Sequence, residues 1–192
     1  MQFTSLTDAD LVLAYQQGHE QALSVLISRH KDKVYTTLYV LVKDKYLAED
    51  LFQDTFLKIV KTIREGRYNE QGKFLQWAVR VARNLCMDHF RRTKVQVPVT
   101  LPDGTDISSI FGHSDLVADE IERREVHQSV RQLVETLPYE QREVIVLRMY
   151  ADLSFKEISE LTGVSINTAL GRMRYALINM RKLIAEKQLV LR

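Results

Sequence analysis

The residues in this chain best placed to do chemistry are cations, amides and aromatics. Two stretches combine cations with amides and aromatics at helical spacing. In "GKFLQWAVRVARNLCMDHFRRTK", Trp77, Arg80, Asn84 and Arg91 fall on one side, with Arg83 and Arg92 beside them. In "SINTALGRMRY", Asn167, Thr168, Gly171, Arg172 and Tyr175 share a face. Residues 73–94 carry six Lys/Arg against one acid, and residues 165–192 again six against one, although the net charge is only +2. Two local basic patches on a near-neutral body point to two separate contacts with a polyanion.

The two patches suit different forms of nucleic acid. A flat aromatic among guanidinium groups and an amide fits unpaired strands, whose bases stack and expose their edges. The alternative for Trp77 is a core residue anchoring its helix, and the arginines around it can equally be solvated. In the second stretch, asparagine can pair with adenine, arginine with guanine or phosphate, and threonine with a base edge or thymine methyl. Gly171 costs roughly 1 kcal/mol of helix stability relative to alanine but leaves room for a backbone to approach. The alternative here is an ordinary helical hairpin with a solvated basic face.

A third stretch, "LAEDLFQDTFLKIVK", sets Asp50, Gln53, Asp54, Leu57 and Lys61 along an outward stripe, with Phe52, Phe56, Ile59, Val60 and Ile63 inward. An exposed leucine among carboxylates suits protein docking. A divalent metal on Asp50 and Asp54, four apart, has no histidine to support it, since residues 19, 30, 89, 113 and 127 are scattered. A solvated face also remains open. Cys86 is the only cysteine, which excludes an internal disulfide and a Cys-based zinc site. Its apolar neighbours favour a buried thiol over a redox thiol assisted by His89. No phosphate loop, nucleophile with a base or metal cluster is found, so neither a cofactor nor a small-molecule substrate is expected.

The elements that must carry these faces are helical. Apolar spacings of three and four recur along most of the 192 residues, and alternating strand patterns are hard to find. Thr7 with Asp10 forms a capping box for a first helix that Gly18 ends. A longer helix starts near Glu20, burying Leu26, Val34, Leu38 and Leu41. After the polar break "KDKY" a helix runs from Ala48 to about Ile63, and a fourth from Lys73 towards Arg92 with Phe74, Ala78, Val81, Ala82 and Leu85 inward. Between Thr93 and Ser114 periodicity fails amid prolines and glycines, as in a flexible linker. Helical spacing resumes from Leu116 to Thr136, and Pro138 suits the first position of the next helix. Ser154 and Glu157 cap a short helix with Phe155, Ile158 and Leu161 inward, and Gly163 ends it. Ser165 then caps a second, with Ile166, Ala169, Met173, Leu177 and Met180 inward. Small Ser159 and Gly163 are expected to let these two helices cross closely. This is a helix-turn-helix, whose second helix enters the major groove. The expected fold is all-α, two small helical domains (1–94 and 116–192) joined by residues 95–115. The start "MQFTSLTDAD" has no signal core and no run approaches eighteen apolar residues, so a cytoplasmic protein without membrane insertion is expected.

Taken in order, "AEDLFQDTF", "FLQWAVRVARNLCMDHFRR" and "LPYEQREVIVLRMYADLSFKEISELTGVSINTA" resemble the sigma-70 family of bacterial transcription initiation factors. The resemblance is to the compact extracytoplasmic-function branch, which has only the second and fourth conserved regions, and it covers nearly the whole chain. It implies that Ala48 to Lys61 docks on the clamp helices of the largest subunit of core RNA polymerase, a segment holding Ala48, Glu49, Asp50, Leu51, Gln53, Asp54, Leu57 and Lys61. Of these, Asp50, Gln53 and Asp54 would be the polar contacts. It implies that Trp77 to Arg92 melts and reads the −10 promoter element, with Trp77, Arg80, Arg83, Asn84, Arg91 and Arg92 on DNA. A base would be extruded beside Asn84, where the family's helix gives way to a loop. Phe155 to Arg174 would read the −35 element as duplex, bringing in Ser165, Asn167, Thr168, Gly171, Arg172, Arg174 and the adjoining Tyr175. The linker would thread the polymerase cleft, and an inhibitory anti-sigma protein is usual for this branch. Leu170 and Gly171 stand where the family often has a basic residue and serine, and Asn167 replaces a frequent small residue.

Three functions compete on these residues. A sigma factor accounts for both basic patches and the acidic stripe without catalysis. A dimeric helix-turn-helix regulator binding operators leaves Trp77 and its arginines unexplained. An enzyme acting on nucleic acid lacks any supporting motif.

Overall fold

Short-range capping chemistry sets the helix starts. The Thr7 hydroxyl accepts from the Asp10 amide at 3.2 Å while the Asp10 carboxylate accepts from the Thr7 amide at 3.3 Å, closing the expected capping box. The computed structural model describes residues 3–69, 71–93 and 130–187. After a 3-10 turn at Phe3–Ser5 come α1 (Asp8–Gln16), α2 (Glu20–Val42), α3 (Lys45–Arg64) and α4 (Phe74–Thr93). A helical stretch over 130–136 (α5) precedes α6 (Tyr139–Met149), α7 (Phe155–Thr162) and α8 (Ile166–Glu186). The described residues contain no strand, in keeping with the all-α expectation. The expected linker and the start of the helix after it lie outside the described residues.

α2 is the spine of the N-terminal block and packs against α1, α3 and α4. Its Leu26, Val34, Leu38 and Leu41 are fully buried, each leucine contributing about 1.5–3 kcal/mol. α3 begins three residues earlier than its sequence pattern suggests. Lys43 ends α2 in the left-handed conformation (φ 56°), and the Asp44 carboxylate immediately caps α3 by accepting from the Leu47 amide at 3.0 Å. The break is therefore shorter than "KDKY". α4 runs unbroken past Asn84, so the loop implied by the resemblance is not present. Its buried stripe is Phe74, Leu75, Ala78, Val79, Ala82, Cys86 and Phe90, leaving Val81 and Leu85 only half-buried. Burial pushes the Cys86 thiol up to about 12, which keeps it protonated and inert.

In the C-terminal block Pro138 sits one position before the helix, as the N-cap of α6 with extended backbone (φ −53°, ψ 149°). Ser154 and Glu157 form the second capping box. Gly163 takes the left-handed conformation at φ 71°, but a Cβ there would meet nothing within 4 Å. The glycine thus serves backbone conformation, and the expected close crossing at Gly163 is not its purpose. α8 rests on α6 and α7 through Ala169 and Ala176, both fully buried, with Met173, Met180 and Leu183 partly covered. The expected inward residues Ile166 and Leu177 are instead 45% and 42% exposed. Both stripes obey helical spacing, and the small Ala176 wins because it lets the helices approach.

The two blocks touch. α2 packs on α6, and the main apolar cluster continues from the N-terminal helices into Val144, Leu147, Leu153, Ile158 and Ala169.

Candidate nucleic-acid and polymerase interfaces

α4 presents the first basic face. Arg80, Asn84, Arg91 and Arg92 are exposed, at spacings that bring Arg80 and Asn84 one turn apart. Trp77 is half-buried, stacked on Tyr68 with centroids 4.0 Å apart and edge-on to Phe74 at 5.9 Å. It is therefore both an anchor and a partly open ring. Arg83 departs from the expected set: its side chain is 13% exposed, and its Nε donates to Glu143 Oε1 at 3.0 Å. Arg91 pairs loosely with Asp88 at 3.3 Å.

α8 presents the second. Ser165 accepts from the Thr168 amide at 3.0 Å, and the two hydroxyls meet at 2.8 Å. Ser165 is thus a cap. Asn167, Thr168, Arg174 and Tyr175 are exposed, while Gly171 and Arg172 are partly covered. Thr168, Gly171, Arg172 and Tyr175 line an open depression of about 430 Å³ against Pro138, Glu140 and Gln141 at the start of α6. A Cβ on Gly171 would meet nothing within 4 Å, so space above the helix is free for an approaching backbone.

α3 presents the third face. Asp50, Gln53, Asp54, Leu57 and Lys61 all lie exposed, Leu57 at 68%. Ala48 and Leu51 point into the core at 0% and 5% exposure, so they position the helix instead of offering contact surface. Glu49 is half-buried.

Sequence reasoning missed two features. Leu170, Leu177 and Ile178 are exposed and, with Phe155 and Met173, line a groove of about 470 Å³ flanked by Arg174 and Arg181; the misassigned inward stripe concealed it. Arg142 and Glu143 are buried at 1% and 2%, and no local pattern announces that.

Residues 26–95 match the family model "Sigma-70 region 2" and residues 127–174 match "Sigma-70, region 4". The ECF RNA polymerase sigma factor SigM of Bacillus subtilis is 31% identical, over 71% of this chain and 78% of its own length. The chain belongs to the sigma-70 family, in its extracytoplasmic-function branch. SigW of the same organism is 28% identical to this sigma factor over 87% of the chain and 91% of SigW. Its fold is shared by the sigma factor RpoE of Bartonella quintana, solved in complex with the anti-sigma factor NepR. That likeness has a TM-score of 0.59 at 18% identity, covering 83% of this chain and 94% of that one. The region 2 match in this sigma factor takes in α3 and α4, the acidic stripe and the first basic face. The region 4 match ends at Arg174, inside α8 and beyond Asn167, Thr168 and Arg172.

Proposed function

We propose that this sigma factor binds core RNA polymerase through the outward stripe of α3 and directs transcription initiation by reading a promoter twice. α4 takes melted −10 DNA, with Trp77, Arg80, Asn84, Arg91 and Arg92 on the strand and Arg83 joining them once free of Glu143. α8 takes duplex −35 DNA, with Asn167, Thr168, Arg172, Arg174 and Tyr175 towards the groove and Ser165 holding the helix start. The observation that carries this reading is the exposure of a cationic helix face on each family-matched module, beside a third exposed face of opposite character. Such a protein is a specificity subunit without catalysis of its own, and it works in the cytoplasm beside polymerase and chromosome. No helix among the described residues is long and apolar enough to cross a membrane. An inhibitory anti-sigma protein is a further partner, by analogy with the RpoE complex.

Run-off transcription with core polymerase, with and without this chain, tests the proposal. Promoter-dependent transcripts are expected; specific duplex binding with no effect on polymerase would instead favour an operator-binding regulator. Asp54→Ala is expected to lower core affinity by about 1 kcal/mol, as for a polar contact at an interface rim. Retention on immobilised core equal to that of the parent would remove α3 from the docking role.

A further inference from the structure

We infer that Leu170 is a specificity-determining residue of this sigma factor, set to read the C5-methyl group of a thymine in the −35 duplex beside the base pair that Asn167 faces. The contact rests on the reading of α8 as the helix that takes duplex DNA, and adds to it a residue and a base.

Leu170 sits inside the polar face of α8. Asn167 stands one turn before it and Arg174 one turn after, both exposed, and Leu170 itself is 44% exposed. The core does not require it there. Phe155 and Met173, which share its open groove, pack against the main apolar cluster, and the helix is seated by the fully buried Ala169 and Ala176. Leu177 and Ile178, the other exposed apolar residues of that groove, come later in the helix, beyond Arg174. Of these three, Leu170 is the one level with the N-terminal turns, which a groove-reading helix directs towards the bases.

Chemistry narrows what such a residue meets. A lysine or arginine would hold phosphate in any sequence and an amide would bond a base edge, whereas leucine offers neither charge nor hydrogen bond. In the major groove the apolar group that a base pair presents is the thymine methyl. Against another edge the leucine displaces water from a donor or acceptor and returns no bond, so the contact selects for the methyl and against its absence.

The neighbouring residues supply depth and register. Gly171 has no side chain, and a Cβ there would meet nothing within 4 Å, so the helix can settle close enough for a side chain of leucine's length to reach the base edges. Three residues of helix advance about 4.5 Å, against about 3.4 Å between base pairs. Leu170 and Asn167 therefore face neighbouring pairs, and asparagine favours adenine. The step selected by this part of α8 is a thymine beside an adenine.

Replacing thymidine by deoxyuridine removes that methyl group and nothing else. The full chain, assembled with core polymerase, is used to select from duplex DNA randomised over about ten base pairs, one turn of the double helix, and the selected duplex is resynthesised with deoxyuridine at each thymidine in turn. The parent is expected to lose about fourfold in affinity at one position, as for one buried methyl-sized group, and to prefer adenine at the adjoining pair. In Leu170→Ala the uracil penalty at that position should vanish while the adenine preference stays, and Leu170→Met, which keeps an apolar side chain of similar volume, should retain both. Because the readout compares two duplexes on the same variant, a change in folding does not produce it. Selected duplexes whose thymines all tolerate uracil, or uracil penalties in Leu170→Ala equal to the parent's at every position, overturn the contact and leave α8 a duplex reader. No enrichment of any sequence by the parent overturns α8 as a duplex reader, and the contact with it.

Discussion

The two helices proposed to hold nucleic acid rest on different foundations. α4 is set onto α2 and α3 by a stripe of large and small apolar residues from Phe74 to Phe90, and its aromatic is braced by Tyr68. α8 lies on α6 and α7 through two buried alanines and leaves Leu170, Leu177 and Ile178 in solvent. The difference suits the tasks proposed for the two helices. Holding strands apart needs a reading surface that does not yield when bases are unstacked, which costs a few kcal/mol per step. Lying in a major groove needs a helix with most of its circumference free. Firmness serves one and exposure the other.

Truncation at matched chemistry should widen this contrast most. Leu38→Ala, in the fully buried spine, is expected to cost about 2–5 kcal/mol in urea unfolding, and Leu177→Ala under about 0.5 kcal/mol. Equal losses would mean that Leu177 is packed as firmly as the buried spine of α2. Next in size, Asn84→Ala should reduce open-complex yield about tenfold while sparing polymerase binding, as loss of a base contact worth about 1–3 kcal/mol implies. Permanganate reactivity of the melted strand reads this, and an undiminished signal would assign the opening to other residues. Arg172→Ala acts on the other helix and should lower the salt-dependence slope of −35 duplex binding by about one if it neutralises a phosphate. An unchanged slope would leave Arg172 as a wall of the depression beside α6.

The smallest expected effect lies at the rim between the blocks. Hydrogen bonds from Lys73 and from Ser154 hold the Glu157 carboxyl down to about 2, below its ordinary value of 4.5. A lowered carboxyl value stabilises the fold above the unfolded value, and that contribution drains away as pH falls from about 4.5 towards about 2. Melting temperatures of the parent and Glu157→Gln should therefore differ at neutral pH and converge across that interval. A constant difference would show that the charge contributes nothing there.

Legibility followed sequence distance. Both capping boxes join residues three apart, and both are present as their spacing predicts. The short break before α3 was harder, because "KDKY" looks uniformly polar while Lys43 and Asp44 each terminate or start a helix by a specific conformation. α8 misled because its apolar residues form a band wide enough for two neighbouring stripes. Ile166 and Leu177 fit one three-and-four stripe, Ala176 and Leu183 another, and only packing on α6 and α7 selects between them. Arg142 and Glu143 were illegible: charges inside a helix read as solvent-facing, and their partners lie 101 and 60 residues away.

Local chemistry alone therefore determined where helices begin and end, which of them carry cations with amides and aromatics, and the family that such a series resembles. These depend on neighbours within a turn or two, where backbone bonding and side-chain spacing are set. Tertiary packing decided which cations are free. Arg80 faces water and Arg83 faces a buried carboxylate although they stand three residues apart on one helix, because charge is satisfied by whatever the fold brings within hydrogen-bond reach.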